Sequence, residues 1–152
     1  MKLTANILSL NRKTGSSISD DNFYNFVCYM ASKHEEVFKN FRRNRIYCGV
    51  LEHVSKKYAD EYLKIAQDSK LFTLEDFREF QKNDLYGNPV KFSFEIYGEN
   101  FDFAPTTLRY VKNLCDIISN FNVSEINSIT EIGVGYGGLC RLICQKLGGG
   151  TI

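Results

Sequence analysis

The segment Glu131-Ile-Gly-Val-Gly-Tyr-Gly-Gly138 constrains the fold more than any other part of the chain. Four glycines fall within six residues, after the run Ser128-Ile-Thr-Glu-Ile132, with apolar residues at 129 and 132, and before a helical pattern from Leu139 to Leu147. That arrangement predicts a short buried strand turning sharply into a helix. Such a turn tolerates positive φ, lets a ligand approach the backbone, and aims unpaired N–H groups outward from the helix start. Only 14 residues follow Gly138. A parallel sheet needs further strands and helices to cover both faces. The fold class read from the sequence is therefore α/β: a mostly helical N-terminal cap with a β-hairpin, leading into the first strand and helix of a truncated Rossmann-like core.

The chain divides into three stretches. Residues 1–20 are polar and include Lys13-Thr-Gly-Ser-Ser-Ile-Ser19, a composition expected of a flexible lead-in. Residues 21–121 read as a helical cap with a hairpin, and residues 122–152 as the start of a nucleotide-type domain. Within the cap, Phe23, Phe26, Val27, Met30, Val37 and Phe38 predict one amphipathic helix from Asp21 to about Phe41, with Asp20 or Asp21 as its cap. A second is expected from Arg43 to His53. A third, from Ser55 to Gln67, has an expected stripe of Tyr58, Tyr62, Ile65 and Ala66. Thr73-Leu-Glu-Asp76 has the spacing of reciprocal capping ahead of Leu74, Phe77 and Phe80. Tyr86-Gly-Asn-Pro89 signals a turn, and Val90, Phe92, Phe94 and Ile96 alternate with polar neighbours as a half-buried strand does. Gly98-Glu-Asn100 turns the chain towards a return strand at Phe101 and Phe103. Pro105 opens a helix that runs to about Asn120. Thr151-Ile152 fits the beginning of a second core strand.

Charge and cysteine usage narrow the partners. Nineteen basic and 18 acidic residues leave a formal charge of +1, so no global field draws the chain to nucleic acid or an anionic membrane. No stretch reaches the ~20 apolar residues of a membrane span, and Thr4 and Asn6 break the N-terminal apolar run that a secretory signal needs. Five scattered cysteines suit free thiols in a reducing, cytoplasmic setting.

The glycine spacing fits two cofactor classes. Gly133, Gly135 and Gly138 satisfy the dinucleotide pattern, and Gly133, Gly135 and Gly137 the tighter pattern of S-adenosylmethionine sites. A ligand-free strand-to-helix turn is the plain alternative. Glu131 favours the second class, because a carboxylate two positions before the first glycine can orient the cationic methionine portion of S-adenosylmethionine.

Glu131-Ile-Gly-Val-Gly-Tyr-Gly-Gly138 with Cys140-Arg141 resembles the first motif of the sugar O-methyltransferases, a bacterial group of class I S-adenosylmethionine-dependent enzymes. Three further patches are similar to that family in order and spacing: Leu51-Glu-His-Val-Ser55 with Glu61-Tyr-Leu63; Asn83 with Tyr86-Gly-Asn-Pro89; and Pro105-Thr-Thr-Leu-Arg-Tyr110. The resemblance covers roughly residues 47–152. Where the family commonly carries Gln after the glycine pair, this chain has Leu139. The resemblance implies that Glu131, Gly133, Gly135 and Gly137 contact the cofactor, with Tyr136 and Gly138 shaping the turn. It further implies a sugar or glycan precursor as substrate, bound between cap and core. The acidic residue that holds the ribose falls, by count, beyond Ile152. A single edge strand would leave backbone groups for a second copy or a C-terminal segment to pair. A truncated, non-catalytic binding protein is the alternative from another class.

Four other groups of residues remain open. His53 is a candidate base for a sugar hydroxyl, or a histidine that caps a helix end or packs under the hairpin. Arg109 and Tyr110 are candidates to face the cofactor or an anionic substrate group, or else lie on an exposed helix face. Cys140 and Cys144, one helical turn apart, suit burial against a sheet rather than a metal site. The basic run Lys39 to Arg45 is a candidate to touch a phosphorylated glycan carrier or nucleic acid, or reads more simply as a solvated helix end.

Overall fold

A computed structural model describes residues 23–148. The expected lead-in at 1–20, the Asp20 or Asp21 cap and the strand start at Thr151 lie outside those residues. The chain is mostly helical, with one two-stranded antiparallel sheet.

The single helix expected up to Phe41 is two. Helix α1 spans Phe23–Lys33, His34 is extended (φ −130°, ψ 115°), and α2 spans Glu35–Phe38. A 3-10 turn at Phe41–Arg43 follows and carries Phe41 and Arg42 into the interior. Of the apolar face expected on α1, only Val27 is buried, and Phe26 stays exposed. Helix α3, Arg45–Val50, is capped by the Asn44 side chain, which accepts the N–H groups of Ile46 and Tyr47. Helix α4, Lys56–Ser69, starts at the expected Ser55 cap, but its buried stripe is Ala59, Leu63 and Ala66, with Tyr58 and Ile65 exposed. Small residues win that face because α4 lies along α6, and alanine lets the two backbones approach.

Helix α5, Leu74–Gln81, opens with the anticipated capping box: Asp76 N–H donates to Thr73 Oγ1 at 3.2 Å, and Thr73 N–H donates to Asp76 Oδ2 at 2.7 Å. Phe77 and Phe80 are fully buried. Strands β1 (Phe92–Ile96) and β2 (Glu99–Phe103) pair from Phe92 opposite Phe103 to Ile96 opposite Glu99. Tyr97 and Gly98 both take positive φ, as a two-residue hairpin loop matched to strand twist demands. The turn is thus one residue earlier than the sequence suggested, and Val90 precedes the paired region and stays half exposed. Helix α6, Pro105–Asn120, has Pro105 at its first position and ends where expected. Helix α7, Gly138–Leu147, follows the glycine turn.

One core joins α4, α5, the inward face of the hairpin, α6 and α7; a smaller cluster of Val27, Phe41 and Tyr47 lies under α1. Fully burying a phenylalanine such as Phe77, Phe80 or Phe103 contributes about 1.5–3 kcal/mol.

The strand expected at Ser128–Ile132 does not form. The residues from Ile126 to Glu131 carry no ladder, and Ile132 is 95% exposed. A strand exists through the hydrogen bonds of a neighbour, and the hairpin, the only sheet among the described residues, lies elsewhere. A Rossmann-like core is not present among these residues. Among them, too, no helix is long and apolar enough to cross a membrane.

Candidate functional site

The glycine turn is shaped by two different demands. Gly133 (φ 75°), Gly135 (φ 59°) and Gly137 (φ 82°) all occupy the left-handed region that side chains resist. A Cβ at Gly133 or Gly137 would meet nothing within 4 Å, so backbone conformation alone selects glycine there. Gly138 is different. A Cβ on it would lie 2.6 Å from Tyr110 Cε2 and 2.7 Å from the Tyr136 hydroxyl, so packing selects glycine there.

Tyr136 folds inward from the turn. Its ring lies 6.1 Å from those of both Tyr110 and Phe41, and the Arg42 guanidinium stands 4.6 Å from its centre. Arg42 is almost fully buried, which contradicts the solvated role expected for the Lys39–Arg45 run. Its Nε donates to Glu52 at 2.6 Å, and its Nη1 to Asp84 Oδ1 at 3.0 Å and the Asn83 carbonyl at 3.1 Å. Burial works against the guanidinium charge, but the surrounding Tyr136, Glu52 and Asp84 more than offset it, so Arg42 stays ionised. Asp84 is held by Arg42, by the Ala104 N–H at 2.7 Å and by the Thr107 hydroxyl at 2.7 Å. Burial nevertheless pushes its carboxyl above the usual range, with those donors pulling it back.

Further bonds fasten the turn to this centre. Asn83 Nδ2 donates to the Gly138 carbonyl at 2.9 Å, and Arg141 donates to Asn83 Oδ1 and to the Glu79 carbonyl, both at 3.1 Å. Thr106 donates to the Leu51 carbonyl at 3.1 Å, and a Cβ on Gly135 would sit 3.1 Å from Leu51 Cδ1. The Arg42 N–H donates to the Gly87 carbonyl at 3.0 Å, while Gly87 (φ 74°) leaves room for the Phe41 ring. The four dispersed patches singled out in the sequence therefore meet around one buried arginine that none of them contains. No signal in the sequence marked Arg42 as buried, or Glu52 and Asp84 as its partners.

The other candidates sit as follows. Glu131 accepts from the Cys140 thiol at 2.8 Å, and burial together with this carboxylate pushes that thiol up to about 11. Cys140 and Cys144 are partly exposed rather than buried, and no group of three metal-ligating side chains occurs among the described residues. His53 is exposed in the link between α3 and α4, two residues past the Leu51 that touches the turn. Arg109 is partly exposed, its guanidinium 5.4 Å from the ring of buried Tyr110. Tyr110 faces Gly138 rather than solvent. Leu139 packs against the main core.

Two clefts flank Tyr136. One, of about 250 Å³, is bounded by Phe38, Tyr86, Gly137 and Arg141. The other, of about 200 Å³, lies between α1 and Gly135. Three buried polar atoms have no hydrogen-bond partner among the described residues: Arg42 Nη2, Tyr47 Oη and Tyr136 Oη. Comparisons with protein-family models, with curated proteins and with solved structures find no match for this chain.

Proposed function

We propose that the chain is the N-terminal portion of an S-adenosylmethionine-dependent O-methyltransferase acting on a sugar or glycan precursor. The observation that carries this reading is the run of left-handed glycines at 133, 135 and 137, two of which have open space where a side chain would be. A turn of three glycines at positive φ that leaves its outer side clear at two of them suits a ligand that approaches the backbone. Glu131, tied to the first turn of α7 by Cys140, adds a carboxylate beside it.

The residues present fit a cationic, amino-acid-bearing cofactor: Glu131 would hold its methionine portion, and Gly133, Gly135 and Gly137 would line it. S-adenosylmethionine supplies an electrophilic methyl group when bound. The chain's own part is to hold the acceptor hydroxyl in line and to take its proton, for which His53, exposed in the link between α3 and α4, is the candidate. Arg109 is the candidate for an anionic substrate group. In the cell the setting is the cytoplasm.

Calorimetry tests the reading, using the chain extended through the reading frame that follows Ile152. S-adenosylmethionine or its demethylated product should bind in preference to NAD, and Gly135→Val should abolish binding, because valine resists φ 59° and meets Leu51. Preference for NAD would instead place the chain with dinucleotide-binding proteins. A non-catalytic binding protein is the second reading, favoured by the direct packing of α7 on α5 and α6 without a core sheet.

A further inference from the structure

We infer that Cys140 is a positioning residue for the cofactor: its thiol steadies the Glu131 carboxylate so that the carboxylate can meet the ammonium of the methionine portion, an inference that rests on the methyltransferase reading. The thiol donates to Glu131 Oε2 at 2.8 Å. Oε1 is left to accept from a cation.

Glu131 needs such a tie because its own backbone supplies none. Residues 126–131 carry no ladder, and Ile132 and Gly133, next along the chain, are exposed. A carboxylate on a segment of that kind loses conformational freedom when a ligand takes hold of it, and the loss weakens binding unless the protein has already fixed the group. Cys140, by contrast, stands on a fixed element. It lies in the first turn of α7, whose start is bonded to Asn83 through the Gly138 carbonyl and to the Glu79 carbonyl through Arg141. Leu142 and Ile143 bury the same helix in the main core. The bond spans nine residues and encloses all three left-handed glycines, so it ties the carboxylate to the turn that it would serve.

The thiol acts here as a donor and not as a nucleophile. Burial, with the Glu131 carboxylate adding to it, pushes the thiol up to about 11, so it keeps its proton at neutral pH. A neutral donor leaves Glu131 its negative charge. A lysine or arginine in the same place would pin the carboxylate equally well but would cancel the charge that an incoming ammonium needs.

Calorimetry on the chain extended past Ile152 tests this with S-adenosylhomocysteine, which bears the ammonium, and 5′-methylthioadenosine, which lacks the whole amino-acid end. Cys140→Ala should weaken the Kd of the first about tenfold and leave that of the second unchanged. Cys140→Ser, which restores a donor, should return the first to within about twofold of the unsubstituted protein. A second readout needs no ligand. On the chain itself, Glu131→Gln should speed the alkylation of Cys140 by iodoacetamide at pH 8 about tenfold, followed by peptide mass spectrometry, because no carboxylate then opposes the thiolate. The inference is overturned if Cys140→Ala leaves S-adenosylhomocysteine binding unchanged, if it weakens both ligands alike as a general loosening of α7 would, if serine fails to rescue, or if the alkylation rate does not rise. Each of those outcomes leaves the methyltransferase reading intact, since that reading stands on cofactor binding by the unsubstituted protein. Preference of the unsubstituted protein for NAD sinks the reading and this inference together, whatever the alkylation rate.

Discussion

Arg42 brings its charge into the interior against two carboxylates, and the arrangement fails badly if the cation alone is removed. Arg42→Ala would leave Glu52 and Asp84 buried beside each other without their counter-ion, a change that costs about 3–5 kcal/mol. Arg43→Ala, which removes an exposed bond to the Asn88 carbonyl, should cost about 1 kcal/mol. Urea denaturation of the two variants checks the contrast, and similar midpoints would refute the buried-charge account. This difference was invisible in the sequence. Arg42 and Arg43 are chemical twins in one basic run, and what separates them is a partner 10 residues away and another 42 residues away. His53 drew attention by residue type, whereas its neighbour Glu52 is the one that reaches the centre.

Among the elements, the glycine turn makes two separable demands on its sequence. Gly138→Ala drives a methyl group into the rings of Tyr110 and Tyr136, an overpacking that should cost about 1–3 kcal/mol and displace Tyr136. Gly137→Ala meets no atom and should cost about 1–2 kcal/mol from its left-handed backbone alone. Near-ultraviolet circular dichroism distinguishes them: the tyrosine signal should change in the first variant and persist in the second. Elements whose bonds are local were legible in advance. The Thr73–Asp76 box, the hairpin strands and both ends of α6 depend on spacings of a few residues. The segment at 128–132 was misread because a short extended run becomes a strand only when something pairs with it. The face of α4 was read in part: Ala66 is buried and Tyr62 packs on the core, but Ala59 and Leu63 take the places expected of Tyr58 and Ile65, because alanine lets α4 and α6 meet.

For the molecule as a whole, α7 is joined to the cap by few polar ties, and one of them titrates. Lys146 donates to Asp76 Oδ2 at 2.7 Å, the same oxygen that closes the box on α5. Burial would raise the Asp76 carboxyl, but Lys146 and the Thr73 N–H and hydroxyl together hold it below the ordinary aspartate range. A lowered carboxyl stabilises the fold above its unfolded value, about 3.9, and that contribution disappears as pH falls through the folded value. Asp76→Asn should therefore cost about 1 kcal/mol at pH 7, while the two proteins should have nearly equal urea midpoints at pH 2. A difference as large at pH 2 as at pH 7 would exclude this tie as the cause. Sequence reading placed the patches at 51–63, 83–89, 105–110 and 131–141 in order, but not their meeting point, because convergence belongs to packing.

The bonds of Asn83 to Gly138 and of Arg141 to Glu79 reach back 55 and 62 residues, always towards the N-terminus. A chain made on the ribosome folds its earlier portions first, so the cap can be assembled, with Asn83 and the Glu79 carbonyl in place, before the glycines emerge. The turn then has a seat waiting for it, and the direction of synthesis becomes an assembly instruction: scaffold first, glycine turn last.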